Sequence, residues 1–555
     1  MIGMEKSISK WKILLIALLI LLIVLASEML IFNSLMAENL WTWYYHKGFL
    51  KTAVYVLSYL FIVAFLVGVF LVRSNKIFIL LLVLITLPYL INISYYFING
   101  YGFGISELQI FIAESTKFSN DVWISYSPYM IKALVFFLCI VAVSFLVRLF
   151  AVKNEILIKT RYVLYFGIVS IIIALAIIFK TINTINKYPV YAGFYTTIIY
   201  YLSNPLYYGE RDKLTITPES ESKYQNIIWI IDESISYNYL SINGYEKETT
   251  PYLGSIKEKY VNLGRSSSIS NCSAMTNIGL LSGVQLSQLP DESAYSLRSS
   301  SIFQYAKNAG YTTHYISGQS YDKRFQNHMT SFDLEYIDNF YQPDIGFEDD
   351  KVPEEDIISE TKKAIDNNKK NFIFIVKRGA HFHWANQTPE NKILFKPVLE
   401  GQDALVMENK EKAINSYSNT VKYRVDDFFK ELFSETKLLD DESFIIYTSD
   451  HGQSILEGGS NGTHCDSTNP NLTQGIVPML VFANKHKSEL SELPKNSYSH
   501  YEIFPTTLEL MGYQNYDNGY TFFNKPDAKQ IFSSGDIFGR ASFHFNDISK
   551  VKVGP

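Results

Sequence analysis

The sequence predicts five membrane-spanning helices followed by an α/β domain whose mostly parallel central sheet is covered by helices on both faces. Three observations lead to this fold class. Apolar stretches long enough to cross a bilayer are confined to the first third of the chain. After residue 223, short apolar runs alternate with amphipathic stretches, which is the pattern of a parallel sheet packed between helices. Polar side chains that could bind a metal ion follow several of those runs.

Each predicted span contains about 20 mainly apolar residues, the length that a helix needs to cross a bilayer. The five spans cover residues 12–34, 51–72, 76–98, 130–152 and 161–183. The first run is too long for a secretory signal peptide and lacks a small-residue cleavage site, so we expect an uncleaved anchor. Lysine and arginine cluster before span one, between spans two and three, and between spans four and five. Since positive charge marks the cytoplasmic side, the chain after residue 185 should lie outside the cytoplasm.

These spans divide the chain into three regions, namely a transmembrane domain over 1–183, a linker over 184–222 and a domain outside the cytoplasm over 223–555. The linker is rich in tyrosine and contains Pro189, Pro205 and Pro218. This composition favours an interfacial segment with aromatic anchoring rather than a packed domain. The whole chain carries a net charge of −5 without a long basic block, so we expect no nucleic acid among its partners.

The third region shows the periodicity of alternating strands and helices. Apolar runs predict buried strands over 226–231, 311–316, 371–376, 443–448 and 478–482, and amphipathic stretches predict helices over 298–309, 353–369 and 410–435. Ligands of parallel sheets bind beyond the carboxyl ends of the strands. Three polar segments lie at such positions, because Glu233, His381 and Asp450 each follow a predicted strand.

The pair Asp450-His451 is the sharpest part of the candidate site. An apolar strand that ends in Thr-Ser-Asp-His-Gly places a carboxylate and an imidazole together at a sheet edge, and zinc accepts this mixture of oxygen and nitrogen ligands. Glu233 can supply a second carboxylate. Asp232 beside it should point the opposite way, because adjacent side chains of a strand alternate between faces.

A hydroxyl and several histidines complete the set of candidate residues. Ser273 is the candidate nucleophile, since coordination to a metal ion would lower the pKa of its hydroxyl, and Thr276 is the alternative. His381 and His464 are candidate contacts to phosphate oxygen or proton donors to a leaving group, with His383 as the alternative to His381. Each of these histidines could instead be a structural residue.

Cys272 and Cys465 each lie directly beside a candidate site residue. If the two segments converge on one metal ion, these cysteines could come within bonding distance, and an exported compartment permits a disulfide. The alternative is two small buried thiols.

These segments resemble the alkaline phosphatase and sulfatase superfamily, and most of all its membrane-anchored phosphoethanolamine transferases. Asp232-Glu233-Ser234 is similar to the family's Gly-Glu-Thr, Ser270-Asn271-Cys272-Ser273 to its Ser-Cys-Gly-Thr, Gly379-Ala380-His381 to its Gly-Ser-His-Gly, and Asp450-His451-Gly452 to its Ser-Asp-His-Gly. His464 resembles a later histidine of the family, and Tyr417, Asn419, Asp426 and His500 resemble further family positions. The resemblance covers nearly the whole chain, since the family also has five spans, a linker and an exported α/β domain, and the matches follow the family's order over that domain.

The resemblance implies a sulfatase-like, alkaline phosphatase-like catalytic domain and assigns the residues. It favours Ser273 over Thr276 as the nucleophile, makes Glu233, Ser273, Asp450 and His451 the zinc ligands, and gives His381 and His464 catalytic roles. Met275 and Asn277 replace the Pro and Arg of sulfatases, which weakens a formylglycine sulfatase reading. A serine also stands where the family usually has threonine.

The implied reaction transfers phosphoethanolamine from phosphatidylethanolamine to a lipopolysaccharide acceptor, either lipid A or a core sugar, through a phosphoserine-type intermediate held at zinc. We then expect a monomer in the bacterial inner membrane with its catalytic domain in the periplasm. Three alternatives stay open: a phosphoglycerol transferase of the same fold, which would often use manganese; a phosphodiesterase or sulfatase-like hydrolase; and an inactive membrane protein that binds lipid.

Overall fold

In the computed structural model the chain forms two compact units, which meet in the sequence between Pro205 and Leu206. The structure describes residues 44–45, 48–100, 102–114, 120–178, 190–319, 325–343, 354–366, 369–401, 403–440, 442–459, 462–514, 519–524, 529–540, 542–549 and 551. The residue bounds of the three predicted regions stay a prediction.

The first unit is helical over its described residues. Its helices are α1 (Phe49–Leu71), α2 (Asn75–Asn99), α3 (Ile105–Glu114), α4 (Asn120–Lys153), α5 (Thr160–Ile178) and α6 (Val190–Ser203). Three apolar stretches in these helices are long enough to cross a membrane, and they are Thr52–Leu71, Asn75–Asn99 and Tyr126–Lys153. They coincide with the second, third and fourth predicted spans, which are thereby confirmed as apolar helices of sufficient length.

The other two predicted spans have a different outcome. The stretch of α5 whose side chains are described, Thr160–Ile172, is shorter than a membrane span. The predicted span 12–34 lies outside the described residues. The count of five spans and their orientation therefore stay predictions.

The segment predicted as a linker contains the packed helix α6. Tyr191 Oη donates a hydrogen bond to the carbonyl oxygen of Ile62 in α1 at 3.2 Å, and Tyr195 Oη donates one to that of Leu84 in α2 at 2.7 Å. The tyrosines that suggested an aromatic anchor at the interface thus include two that bond to neighbouring helices. A helix with an apolar face buries it against other elements, which an unstructured linker cannot do.

The second unit is built on one eight-stranded sheet. Its strands are β1 (Asn226–Asp232), β2 (Val261–Ser267), β3 (Thr312–Ser317), β4 (Asn339–Tyr341), β5 (Asn371–Val376), β6 (Ser443–Ser449), β7 (Ile476–Phe482) and β8 (Tyr498–Ser499). They lie side by side in the order β4-β3-β5-β1-β6-β7-β2-β8. Among these described strands only β7 runs antiparallel to its neighbours, so the predicted mostly parallel sheet is confirmed.

Helices cover both faces of this sheet, as predicted. They are α7 (Pro251–Ser255), α8 (Ser273–Ser282), α9 (Tyr295–Arg298), α10 (Ile302–Asn308), α11 (Glu354–Ile365), α12 (Lys410–Val421), α13 (Phe428–Glu435), α14 (Lys487–Ser491) and α15 (Ile503–Leu510). All seven residues of β1 are buried. Trp229 belongs to a core that includes residues of α8, α10 and α15, whereas Ile228 and Ile230 belong to a second core with residues of α11, α12 and α13. The strand therefore reads as a continuous apolar run because both of its faces are packed.

Five strands have no counterpart in the predictions, namely β2, β4, β8 and the antiparallel pair β9 (Ile531–Gly535) and β10 (Phe543–Asp547). The sequence of β2 is Val-Asn-Leu-Gly-Arg-Ser-Ser, and most of its residues are nevertheless buried. Arg265 makes this possible by donating hydrogen bonds to the carbonyl oxygen of Val551 and to Gln530 Oε1. The partners that satisfy this strand lie far along the chain, which a local hydrophobic pattern does not reveal.

Candidate active site

The sheet places three polar segments at the carboxyl ends of neighbouring central strands. β1 lies between β5 and β6 and runs parallel to both, so the loops after these strands are neighbours. The backbone joins them directly, because Asp450 N donates to the carbonyl oxygen of Asp232 at 2.8 Å and Ala380 N donates to that of Glu233 at 2.9 Å. Glu233, His381 and Asp450 thus follow three adjacent strands.

Ser273 lies at the centre of this group as the first residue of α8. Its Oγ is 3.1 Å from Glu233 Oε1, 3.0 Å from Glu233 Oε2 and 3.1 Å from His451 Nε2. The cap residue Cys272 makes no side-chain bond to the helix. The first backbone N–H groups of α8 are therefore available to a negatively charged group at the serine.

Thr276, the alternative hydroxyl, lies in a different environment. It is buried, donates a hydrogen bond to the carbonyl oxygen of Ser270 at 2.9 Å and accepts one from Ser270 N at 3.1 Å. These bonds hold the turn before α8. The geometry therefore favours Ser273 as the hydroxyl that meets the carboxylate and the imidazole.

Glu233, His451 and His464 form a group whose potential metal-ligand atoms all lie within 4.8 Å of one another. His451 Nε2 is 3.0 Å from Glu233 Oε1, and the rings of His451 and His464 stack with their centroids 4.5 Å apart. His451 Nδ1 is 2.7 Å from the carbonyl oxygen of Gly452, so it carries a proton and the other ring nitrogen faces Glu233. A proton or a metal ion is required between Nε2 and the carboxylate, since two lone pairs would repel each other there.

Asp450 adds a second carboxylate, and only one of its two oxygens is hydrogen-bonded among the described residues. Its Oδ1 accepts hydrogen bonds from the backbone N–H groups of Ser234 at 3.1 Å and His451 at 2.7 Å. Its Oδ2 is buried and has no hydrogen-bond partner among the described residues. A buried carboxylate oxygen without a partner is costly unless a cation or a donor meets it. This atom and the mixed oxygen and nitrogen donors around Ser273 fit a zinc ion.

The electrostatics of the group agree with a cation site. Burial and the nearby Glu233 raise the pKa of Asp450 well above its usual range. Burial opposes ionisation of Glu233, but His451 and more weakly His381 and His464 hold its pKa well below the usual range. Burial also disfavours the charged form of His451, yet Asp450 and Glu233 raise its pKa to about 9. One imidazolium therefore faces two buried carboxylates, and an additional positive charge would stabilise both in their ionised form.

The disulfide between Cys272 and Cys465 settles the question that the sequence left open. It joins residues 193 positions apart, with Cα atoms separated by 4.6 Å. Because Cys272 precedes Ser273 and Cys465 follows His464, the bond ties the candidate nucleophile to the loop of the second histidine. The predicted convergence of these segments on one site is what brings the sulfur atoms together.

The remaining residues singled out from the sequence make hydrogen bonds that hold neighbouring loops, turns and strand ends. Tyr417 Oη donates to the carbonyl oxygen of Ser234 at 2.7 Å. Asp426 accepts hydrogen bonds from the first backbone N–H groups of α7, and Asn419 Oδ1 accepts from Leu394 N and Phe395 N. His500 lies 3.0 Å from Thr448 Oγ1 at the end of β6. His383 Nδ1 accepts from Ala385 N at 3.1 Å, so this alternative to His381 holds a local turn.

Gln319 is a site residue that the sequence did not indicate. Its Nε2 donates hydrogen bonds to Glu233 Oε2 at 3.1 Å and to the carbonyl oxygen of Lys377 at 2.9 Å. The amide thereby orients the carboxylate that faces Ser273. A single glutamine in a loop carries no sequence signal, because only its position after β3 brings it to this edge.

Gly379 has the backbone conformation that lets the segment before His381 pass over Glu233. Its φ is +51°, and a Cβ atom built on it would lie 2.3 Å from the carbonyl oxygen of Glu233. We expect Gly379→Ala to lower the free energy of unfolding by about 1–3 kcal/mol, because backbone strain at positive φ adds to this clash. Thermal unfolding of the full chain in detergent measures the effect. Gly254→Ala is the matched control, since nothing lies within 4 Å of its Cβ position, and it should leave the melting temperature equal or higher.

Lys377 and Asp232 form a fully buried ion pair behind the site, with Lys377 Nζ 3.2 Å from Asp232 Oδ1. Tyr447 Oη donates to Asp232 Oδ2 at 2.9 Å. We expect Lys377→Met to lower the free energy of unfolding by about 3–5 kcal/mol, because it leaves a buried carboxylate unpaired. The same substitution at Lys392, which is half exposed and pairs with Asp427, should cost at most about 1 kcal/mol. Equal melting temperatures for the two variants would contradict a structural role of the buried pair.

Comparisons with known proteins identify relatives of this chain. The model of the Sulfatase family matches residues 225–513, which is just over half of the chain. The chain is 27% identical over 332 residues to Kdo(2)-lipid A phosphoethanolamine 7''-transferase of Escherichia coli strain K12, covering 55% of each protein. It is 22% identical over 308 residues to phosphoethanolamine transferase EptC of the same strain, covering 54% of this chain and 53% of the relative. The chain thus spans about half the length of the curated relatives that it matches.

Solved structures show the same fold at lower identity. The integral membrane lipooligosaccharide phosphoethanolamine transferase A of Neisseria meningitidis superposes with a TM-score of 0.56 at 17% identity, over 84% of this chain and 90% of that one. The periplasmic domain of EptC from Escherichia coli in complex with zinc superposes with a TM-score of 0.52 at 18% identity, over 62% of this chain and 98% of that domain. With the family match over more than half its length, the chain belongs to the sulfatase family.

Proposed function

We propose that this protein is a zinc-dependent transferase that moves phosphoethanolamine from phosphatidylethanolamine to a lipopolysaccharide acceptor, either lipid A or a core sugar. The observation that carries the proposal is the position of Ser273. Its hydroxyl lies within 3.1 Å of a carboxylate and an imidazole at the first residue of a helix. The names of the curated relatives support the choice of phosphoethanolamine as the transferred group.

Four residues would hold the zinc ion, namely Glu233, Ser273, Asp450 and His451. Their oxygen and nitrogen atoms are ligands that zinc accepts. Bound zinc would supply positive charge that lowers the pKa of the serine hydroxyl and polarises the phosphoryl group. Gln319 and the backbone N–H groups of Ser234 and His451 orient the two carboxylates.

Ser273 performs the first step as a nucleophile. Its Oγ, deprotonated before the attack, attacks the phosphorus of phosphatidylethanolamine, the phosphoester bond to diacylglycerol breaks, and phosphoethanolamine stays on the serine. The free N–H groups at the start of α8 stabilise the negative charge on the phosphoryl oxygens. His381 gives the diacylglycerol oxygen its proton, whereas His464, whose pKa burial lowers to about 3, stays neutral and contacts a phosphoryl oxygen. The serine thus divides one difficult exchange into two steps.

In the second step the acceptor is the nucleophile and Ser273 is the leaving group. A hydroxyl or phosphate oxygen of the acceptor attacks the same phosphorus, and the oxygen of Ser273 leaves. His381 accepts the proton of an acceptor hydroxyl. Whether the product is a modified glycan or free phosphoethanolamine depends on how well the site excludes water at this stage.

The predicted location suits a lipid donor and a lipid-linked acceptor. The membrane spans would attach the catalytic unit to the bilayer that contains both, which replaces a search through solution by a local one. We place the protein in the bacterial inner membrane with its catalytic unit in the periplasm. A monomer suffices for the reaction, because Glu233, Ser273, His451 and His464 come together within one chain.

The donor can be tested with the purified full chain in detergent and added zinc. We expect release of diacylglycerol from fluorescent phosphatidylethanolamine and none from phosphatidylglycerol. Release from phosphatidylglycerol alone would instead indicate a phosphoglycerol transferase. With lipid A present, release of free phosphoethanolamine in the same amount as diacylglycerol would indicate a hydrolase. Inactivity with both phosphatidylethanolamine and phosphatidylglycerol would contradict the proposal.

A further inference from the structure

Gln474 lies outside the residues assigned to the metal and to the reaction, yet three segments of the site meet at it. It is fully buried in the turn Leu472–Gly475 before β7. Its carbonyl oxygen accepts a hydrogen bond from Gly452 N at 2.8 Å, directly after the candidate ligand His451. Its side-chain Oε1 accepts from Asn271 Nδ2 at 2.8 Å and from Asp466 N at 3.3 Å.

Asp466 and Asn271 complete this buried network. Gln474 Nε2 donates to Asp466 Oδ2 at 2.5 Å, and Asn271 Nδ2 also donates to the carbonyl oxygen of Asp466 at 2.9 Å. Cys465 N donates to the carbonyl oxygen of Asn271 at 2.8 Å. Asn271 is two residues before Ser273, and Asp466 is two residues after His464. The network therefore connects the same two segments as the Cys272–Cys465 disulfide.

We propose that Gln474 is a positioning residue that, with Asn271 and Asp466, holds the Ser273 and His464 segments in register independently of the disulfide. The assignment of these two segments to the reaction rests on the proposed function. The physical reason is that Gln474, Asn271 and Asp466 are all buried and that their side-chain hydrogen bonds join one segment to another. Sliding one segment past the other would leave several of these atoms without hydrogen bonds, which costs more than the bonds are worth in water.

The amide and carboxylate can be exchanged to test this contact. Gln474→Glu replaces the Nε2 donor by an oxygen and sets two carboxylates against each other. Gln474→Glu combined with Asp466→Asn restores a donor to the pair, keeps the net charge and leaves Oε1 free to accept from Asn271. Asp466→Asn alone is the matched control, since its amide oxygen can still accept from Gln474 Nε2.

The readout is the effective concentration of the Cys272 and Cys465 thiols, measured in a Cys139→Ser background because the chain has three cysteines. The reduced protein is equilibrated with glutathione, so that one oxidised glutathione becomes two reduced glutathione molecules for each protein disulfide formed. Alkylation and mass spectrometry give the ratio of disulfide-bonded to reduced protein. We expect Gln474→Glu to lower the effective concentration about tenfold or more, and the exchanged double variant and the control to stay within about threefold of the parent.

Two results would overturn the proposal. One is an effective concentration of the thiols in Gln474→Glu that lies within about twofold of the parent value. The other is an effective concentration in the double variant that is as low as in Gln474→Glu. If Gln474→Glu alone does not fold, the double variant tests the contact. The proposal then requires a double variant that folds and has the parental effective concentration of thiols.

The thiol measurement does not depend on any lipid substrate. A parent protein that releases no diacylglycerol would therefore contradict the proposed function and still leave the role of Gln474 decided. With an active parent, we expect Gln474→Glu to lower kcat for diacylglycerol release with little change in KM, and the double variant to recover it. A merely structural residue would lower the melting temperature without this recovery of kcat.

Discussion

Replacing Ser273 with alanine should lower the rate of diacylglycerol release by roughly 10³-fold or more, because it removes the oxygen that attacks phosphorus. The hydroxyl meets both Glu233 and His451 within 3.1 Å, and alanine removes it without filling space. The fold should stay intact, since Ser273 is the first residue of its helix and is only partly buried. Release of diacylglycerol from fluorescent phosphatidylethanolamine, measured beside the melting temperature, gives both quantities.

Thr276→Val is the matched control for this substitution. It removes the alternative hydroxyl, which bonds to Ser270 rather than to the carboxylate. We expect a loss of stability of about 1–3 kcal/mol from the unpaired Ser270 groups and a much smaller loss of activity. A Thr276→Val protein that is folded and inactive, beside an active Ser273→Ala protein, would reverse the assignment of the nucleophile.

The second large effect concerns the metal. Glu233→Gln keeps the shape of the side chain but removes a negative charge from the point where Ser273 and His451 meet. We expect zinc affinity to fall by at least about 100-fold, because a neutral amide is a poor zinc ligand and its NH₂ group would oppose the donor of Gln319. Isothermal titration calorimetry with zinc measures this loss, and the rise in melting temperature with added zinc should shrink in parallel.

Glu258→Gln provides the control for this change. Its side chain is 82% exposed and pairs only loosely with Lys487, so the same substitution should leave zinc affinity unchanged. A Glu233→Gln protein that binds zinc as tightly as the parent would show that the metal, if it binds, is held elsewhere.

Local hydrophobic pattern predicted the central strands well because they are packed on both faces. The apolar run 371–376 coincides with β5 (Asn371–Val376), and the runs that became β1 and β6 differ from the strands by one residue. The strand β2 was missed since it is polar and depends on Gln530 and Val551 for its hydrogen bonds. Such a strand is stabilised by distant chain segments, and a window of neighbouring residues contains no trace of them.

In the candidate site, too, some residues could be predicted from local pattern and others depend on distant segments of the chain. Glu233, His381 and Asp450 could be placed together because each follows a strand, and parallel strands end at one edge. The disulfide was only one of two alternatives, since two cysteines 193 residues apart carry no distance information. Gln319 and Gln474 were absent from the predictions because a neutral amide in a loop has no characteristic spacing. Their importance arises only from the contacts that the fold creates.

The predicted linker shows what composition leaves undetermined. Tyrosine and proline between residues 184 and 222 suggested an interfacial linker, and the structure has helix α6 (Val190–Ser203) there. Aromatic side chains serve both as interface anchors and as packing residues, so their number alone does not distinguish the two. The hydrogen bonds of Tyr191 and Tyr195 to neighbouring helices decide in favour of packing for these residues.

Intact-protein mass spectrometry, after brief incubation of the full chain with phosphatidylethanolamine and zinc but without an acceptor, directly tests whether Ser273 carries the transferred group. We expect a mass increase of one phosphoethanolamine group that peptide mapping locates on Ser273 and that lipid A then removes. We expect no increase with Ser273→Ala or without zinc. Diacylglycerol release without any adduct on the protein, or an adduct on a residue other than Ser273, would contradict this role of Ser273.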